Sequence, residues 1–386
     1  MSLDLAYTRE QLAYADSFGA FCHREVGPNA EAADRDAEWP KASIAALAKF
    51  GYLGLPIPER YGGQSEAADP IMRCLAQEIV ARNCSAAFFV AGASNGLFAL
   101  PIVLFGSEAL KLRYLPGIAD GSKIGAMCLT EPHAGSDAAA IRTRAEKRGD
   151  RYVLTGTKTY ITNAPIADYF LVHAVTNPAA GPLGVSSFVV EKGTPGLAVG
   201  KQMSKMGLRG SPTAEVFLDA CEIPEENLLG EAGQGFLFAM QTLEYGRVGI
   251  SNFCVGLAQS CLDDSVKYAK ERMSFRRPIA SFGDIRAMIV EMAVSIDTAR
   301  RHAYRIAWTK ENVGPCPAEA SALKLYASET AMRSAHSAVQ IHGGMGFIAE
   351  CRVERLFRDI RLAEIGEGTS EIQRHILAKD VFETPP

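Results

Sequence analysis

Nothing in this chain is clustered in the way that metal sites, disulfide frameworks or nucleic-acid surfaces require. Its nine cysteines, at 22, 74, 84, 128, 221, 254, 261, 316 and 351, are scattered and never closer than seven positions apart. That spacing excludes zinc ribbons and disulfide scaffolds and suits a reducing compartment. The seven histidines form no HExxH and no His/Cys cluster, so no metal is expected. A formal net charge of -4 offers no general attraction to nucleic acid or anionic lipid, and neither is an expected partner. Uninterrupted apolar runs fall short of the ~20 residues that span a bilayer, so no membrane is expected. Internal repeats and low-complexity tails are missing too. The first residues carry the acids Asp4 and Glu10 and show helical spacing from the start, unlike a signal peptide or an Arg-rich transit peptide. A cytoplasmic protein, bacterial in style, is the expectation.

What remains is an ordinary globular composition, 48% hydrophobic and 22% charged, over 386 residues, enough for two or three domains. Small-molecule chemistry is the class left open. From about residue 7 to 115 apolar residues recur at helical spacings. Thr8 suits a first cap, Pro40 opens a helix over 41–50, and Gly51 stops it. Two prolines and a Gly-Gly pair make 53–67 a loop, and helices are expected over 69–82, 94–105 and 108–114. Between about 124 and 229 the period switches to two, in short β-rich runs parted by turn residues. Residues 224–235 read as a linker. Long helices follow over about 236–273, 284–313 and 318–341, with Met and Ile stripes that are most simply core. Gly246 and Gly249 lie inside the first of these, each costing roughly 1 kcal/mol relative to Ala, which implies close approach of another backbone or a ligand.

Six motifs stand out on this frame. MCLTEPHAGSD (127–137) is a strand ending in a turn, offering amides and the hydroxyls of Thr130 and Ser136 to a polar ligand. In KTYITNA (158–164), Tyr160 and Thr162 are two apart on a strand and share a face, suited to one flat ligand or to a cross-strand core pair. LEYGRVGI (243–250) spaces Glu244 and Arg247 at i,i+3, where they can pair with each other. ERMSFRRPI (271–279) supplies a cation, a hydroxyl and an aromatic in Arg272, Ser274 and Phe275. VQIHGGMGF (339–347) supplies Gln340 with Gly343 and Gly344. Finally, LAEIGEGTSEIQRHI (362–376) places Glu367 between Gly366 and Gly368, just before the cap residues Thr369 and Ser370 of a helix. Alone this last motif also suits a Gly-rich turn before a surface helix.

Taken in order, these motifs resemble the acyl-CoA dehydrogenase family, its short-chain and branched-chain members most, over essentially the whole chain. The resemblance implies an α+β multidomain fold: an N-terminal helical domain (1–122), a central β-barrel-like domain (123–229) and a C-terminal four-helix bundle (230–386). It implies FAD as cofactor, with Met127, Leu129, Thr130, Tyr160 and Thr162 along the flavin and Thr369 and Glu371 also in contact with it. Arg272, Ser274, Phe275, Gln340, Gly343 and Gly344 belong at the dinucleotide end, given by a neighbouring subunit of a homotetramer or dimer. Ser136, Glu244, Arg247, Gly366 and Gly368 face the acyl-CoA. Tyr160 stands where the family usually has Trp, Arg276 where Gly is usual, and Gly283 where Gln is common. In isovaleryl-type members the base sits at the position of Gly246, which cannot act as one.

By the same resemblance Glu367 is the base that takes the α proton of an acyl-CoA thioester while the β hydride goes to flavin N5, leaving a trans-2-enoyl thioester. So weak an acid needs a stabilised enolate, and the Glu367 backbone N–H with a flavin ribityl hydroxyl would form the oxyanion hole. Burial should raise the carboxyl toward the working pH. Gly366, where a Tyr is frequent, and Phe253, at a pocket-floor position, point to a short, branched or cyclic acyl group, although both also suit plain packing. An electron-transfer flavoprotein is the implied acceptor. Two further readings use the same fold: a flavin oxidase or monooxygenase using oxygen, and a non-catalytic CoA- or protein-binding relative. The monooxygenase has no need of Glu367.

Overall fold

The computed structural model describes residues 7–65 and 69–383; Asp4, and Ala67 at the end of the expected loop, lie outside them. The N-terminal part is helical: α1 (Arg9–Glu25), α2 (Ala30–Asp36), α3 (Lys41–Phe50), α4 (Pro70–Asn83), α5 (Ser85–Gly92), α6 (Leu100–Phe105) and α7 (Glu108–Ala119). Local chemistry sets the ends. Thr8 and Gln11 form a capping box on α1, Asp69 accepts from Met72 N–H to cap α4, and α3 stops at Gly51, whose φ is +93°.

Between α5 and α6 the chain continues as a π-helical segment, Ala93–Ala99, so helix begins at Ser85 and not at 94 as the spacing suggests. The reason is that this run is apolar on every side and therefore carries no period. It also corrects the expectation of short apolar runs. Ser85–Phe105 is 21 residues of mean hydropathy 1.9, long and apolar enough by composition to cross a membrane, yet more than half of it is buried in the fold. Phe98 and Ile102 are fully buried there among Tyr61, Tyr114 and Leu171.

The middle of the chain forms one mixed sheet from β1 (Gly125–Cys128), β2 (Arg144–Arg148), β3 (Arg151–Thr162), β4 (Tyr169–Val175), β5 (Val185–Glu191), β6 (Leu197–Val199), β7 (Thr213–Pro224) and β8 (Leu228–Leu229). Its order is β6-β7-β3-β2-β4-β5-β8, with β1 parallel to β4. Alternate residues of β3, β4, β5 and β7 close the domain's own core around Leu154, Phe170, Val172, Phe188, Val190 and Val216.

Five helices complete the chain: α8 (Gly235–Glu271), α9 (Gly283–Asn312), α10 (Pro317–His342), α11 (Arg352–Ile360) and α12 (Ser370–Glu383). A two-strand hairpin, β9 (Met273–Ser274) and β10 (Arg277–Pro278), links α8 to α9. The central helix α8 is buried nearly all round because α4, α9 and α10 surround it. Its glycines divide in role. A Cβ on Gly256 would stand 2.6 Å from the Glu78 carbonyl of α4, so that glycine sets the helix approach. At Gly246 it is a side chain, the Glu367 carboxylate, that comes close, where the sequence suggested another backbone or a ligand. At Gly249 the rest of the protein comes no nearer than Gln77 Nε2 at 3.6 Å, so no other backbone crosses there. The helical N-terminal part and the bundle share one apolar core, running from Phe18 and Leu53 through Phe253 to Leu323 and Ile360.

Candidate active site

Glu367 sits in the short connection between α11 and α12 with φ at +54°, followed by Gly368 at +89°. A left-handed glutamate is uncommon and needs outside support. That support is visible. Thr369 caps α12, its Oγ1 accepting from Ile372 N–H at 3.2 Å. The Gln373 amide donates to the carbonyls of Glu367 (3.2 Å) and Gly368 (2.9 Å). Lys324, fully buried on α10, donates to the Gly368 carbonyl at 2.7 Å. The Glu367 carboxylate then lies against Gly246 of α8, where a Cβ would fall 2.4 Å from Oε2. Oε2 is buried and has no hydrogen-bond partner among the described residues. Burial raises this carboxyl to about 7, against the pull of Lys324 and Arg247 toward ionisation. Arg247 is itself buried, and its Nε likewise has no partner among the described residues. The site thus holds an acid near neutrality electrostatically coupled to a buried guanidinium, each with a buried polar atom left unpartnered among the described residues.

Glu244 is disposed differently. Its carboxylate accepts from the Cys316 N–H at 2.9 Å and pairs with Lys310 at 2.7 Å, not with Arg247. Gly366 and Gly368 are both half-buried beside Glu367, while Ser136 is exposed on the loop after β1.

The two strand motifs lie side by side. Thr159 N–H donates to the Thr130 carbonyl at 2.9 Å, and buried Lys158 bonds the Leu129 carbonyl (3.0 Å) and Glu131 Oε1 (2.8 Å). Burial pushes Glu131 up, but Lys158 and the amides of Thr143 and Arg142 outweigh it and hold the carboxyl below its usual range. Met127 is half-buried and Leu129 buried, with Thr130 at the rim. A bulge between Lys158 and Ile161 interrupts the ladder at Tyr160, so this residue is not in plain strand conformation, although exposure still alternates, with Ile161 buried between exposed Tyr160 and half-buried Thr162. Tyr160 instead takes φ of +57° and leaves 70% of its surface free. A bulky aromatic both strained and uncovered is what a flat ring ligand would stack on. Together with the open space at Gly92, Gly96 and Gly249 and the unpaired Glu367 and Arg247 atoms, the residues present fit a flavin.

The remaining expected residues lie elsewhere on the chain. Arg272, Ser274 and Phe275 are on the β9–β10 hairpin, with Phe275 87% exposed. Gln340, Gly343 and Gly344 are exposed where α10 ends, and Glu371 is exposed in the first turn of α12. Gly246 and Glu271 are 25 residues apart on one helix, a separation of about 38 Å along its axis.

Lys324, Gln373 and Lys158 escaped the sequence reading. Lys324 carried a usable signal: it occupies the stripe of Ala320, Leu323, Ala327 and Ala331, a lysine on a buried helical face. Lys158 likewise falls on an inward strand position. Gln373 had no signal, because its partners are backbone carbonyls.

Comparison with known proteins matches three family domains in order: acyl-CoA dehydrogenase N-terminal (8–122), middle (126–221) and C-terminal (233–382). The human mitochondrial short-chain specific acyl-CoA dehydrogenase is 41% identical over 93% of this chain and 86% of its own. The butyryl-CoA dehydrogenase structure of Megasphaera elsdenii covers 98% of this chain and 100% of its own at TM-score 0.95 and 36% identity. A chain solved in work on the electron transferring flavoprotein of Acidaminococcus fermentans covers 99% and 100% at TM-score 0.96 and 37% identity. On this evidence of sequence, fold and site, the chain belongs to the acyl-CoA dehydrogenase family, FAD-dependent oxidoreductases acting on acyl-CoA.

Proposed function

We propose that this protein desaturates a short acyl-CoA at the α,β bond, with Glu367 removing the α proton. The observation that carries this is the buried, unpartnered Oε2 of a glutamate raised to about 7, a base matched to neutral pH. Arg247 and Lys324 favour the ionised form of Glu367 and lower the cost of holding it in a dry site. The Glu367 backbone N–H donates to the thioester oxygen as charge builds there. Bound FAD supplies the acceptor for the β hydride. Met127, Leu129, Thr130, Tyr160 and Thr162 would hold its ring, with Thr369 and Glu371 nearby. Arg272, Ser274, Phe275, Gln340, Gly343 and Gly344 would hold the dinucleotide end.

The distance along α8 supports an FAD site shared between subunits, because one chain separates its two groups of residues so widely. A homotetramer or dimer follows from that reading. The Phe88, Phe89 and Phe253 cluster, with ring centroids 5.0 to 5.6 Å apart, supports a short pocket. Its similarity to the Acidaminococcus fermentans chain supports an electron-transfer flavoprotein as acceptor.

The test is anaerobic mixing of holoenzyme with straight, branched and cyclic acyl-CoAs, following flavin bleaching. Glu367→Gln should keep its flavin and lose nearly all reduction. Near-normal bleaching by that variant would refute the assignment.

A further inference from the structure

We infer that Lys324 and Gln373 are positioning residues for Glu367: they hold the Gly368 carbonyl from two different helices, and Lys324 sets the pH range in which the base works. This rests on the proposed role of Glu367. The geometry is unusual in that two consecutive residues, Glu367 and Gly368, both have positive φ. For the glutamate that conformation is strained and persists only when its surroundings enforce it. Here the enforcing contacts converge on one peptide unit. The Gly368 carbonyl accepts from Lys324 Nζ at 2.7 Å and from Gln373 Nε2 at 2.9 Å, while the same amide also reaches the Glu367 carbonyl. Both side chains are fully buried.

A lysine without solvent is costly, and its one hydrogen bond among the described residues is to that carbonyl. Burying it is chemically sensible only where a negative charge is to be held nearby. The groups around it are Glu367 on the loop, Cys254 and Arg247 on α8, and Glu371 on α12. Glu367 in turn faces Lys324 and Arg247. Cys254 is buried and its thiol is pushed up to about 12, so it carries no charge at neutral pH. Glu371 is ionised but exposed to solvent and acts on Lys324 less than Glu367 does, so Glu367 is the buried anion that Lys324 serves. Gln373 contributes geometry without charge. A Cβ on Gly368 would lie 2.7 Å from Gln373 Nε2, so glycine at 368 is what lets the amide close on the loop.

The experiment compares Lys324→Met, Lys324→Gln and Gln373→Leu with the parent holoenzyme and with Glu367→Gln. Flavin content, the pH profile of substrate-driven bleaching and a difference-infrared titration of the Glu367 carboxyl are the readouts. Removing the ammonium should move the ascending limb and the carboxyl titration upward by about one pH unit in both Lys324 variants. Gln373→Leu should lose on the order of tenfold in rate with the limb unmoved. Lys324→Gln keeps a donor for the carbonyl and serves where Lys324→Met does not fold. An unmoved limb in a folded Lys324 variant, alongside an inactive Glu367→Gln, overturns this inference alone. An active Glu367→Gln overturns the assignment of the base beneath it.

Discussion

The carboxylate of Glu367 occupies the space that a side chain on residue 246 would need: an added Cβ at Gly246 would stand 2.4 Å from Oε2 and 2.9 Å from Cδ. The clash is with the end of a flexible side chain, so the backbone need not move. Gly246→Ala is therefore expected to leave stability unchanged or raise it by up to about 1 kcal/mol, since alanine favours helix. Turnover should fall at least about tenfold, because the acid must swing away from where it meets substrate. Thermal melting and steady-state kinetics on the same sample check both halves. A variant with normal turnover would mean that the carboxylate does not work from this position.

Glu367 should also leave a mark on the pH dependence of activity and stability. As a base it must be ionised, so kcat/KM of the free enzyme should rise through about pH 7. The stability effect has the opposite sense. Its folded value lies above the ordinary 4.5, so the native state holds this proton more tightly. That contribution is fully present below about 4.5 and is lost as pH rises through about 7. Glu367→Gln removes the burden of a buried anion, and at pH 8 it should melt higher than the parent, by up to about 3 kcal/mol in stability. Equal melting at pH 5 and pH 8 for both proteins would contradict the burial argument.

Much of this arrangement was legible in the chain because it is local. Glu367 is marked by its flanking glycines and by Thr369, and the long helices α8, α9 and α10 are marked by spacing. What was illegible is what depends on distant partners. Lys324 is 43 positions from Glu367, and only the packing of α10 against the loop makes it a contact of that site. The bulge at Tyr160 shows only in how β3 pairs with β7, two residues of β3 standing against one of β7, which no property of β3 alone announces. Ser85–Gly92 was invisible as a helix because a uniformly apolar run has no period to read.

Asp359 of α11 ties together three parts of the molecule. It is fully buried, accepts from the Ser85 hydroxyl of α5 and from the Leu208 N–H of the loop before β7, and is raised to about 6 by burial. Leu208 has φ of +49°, so this bond also secures a strained turn. Asp359→Ala strands two buried donors and should cost about 3 kcal/mol in unfolding free energy. Asp359→Asn keeps one acceptor and should cost less. Neither should shift the pH limb of turnover, which separates this junction from the Lys324 contact.

The hairpin turn between β9 and β10 carries a testable strain. Phe275 and Arg276 take φ of +49° and +62°, the two left-handed positions of a tight two-residue turn. Arginine at the second is the departure noted from the sequence, where the family usually has glycine, and its backbone has adopted what glycine adopts freely. Arg276→Gly should relieve that strain and stabilise the hairpin by up to about 1 kcal/mol, offset in part by the greater freedom of glycine in the unfolded chain. The reading is a small rise in melting temperature of the apo-protein, with hydrogen exchange of residues 273–278 slowed. A destabilised Arg276→Gly apo-protein would show instead that the arginine side chain contributes a contact worth more than the strain of its turn.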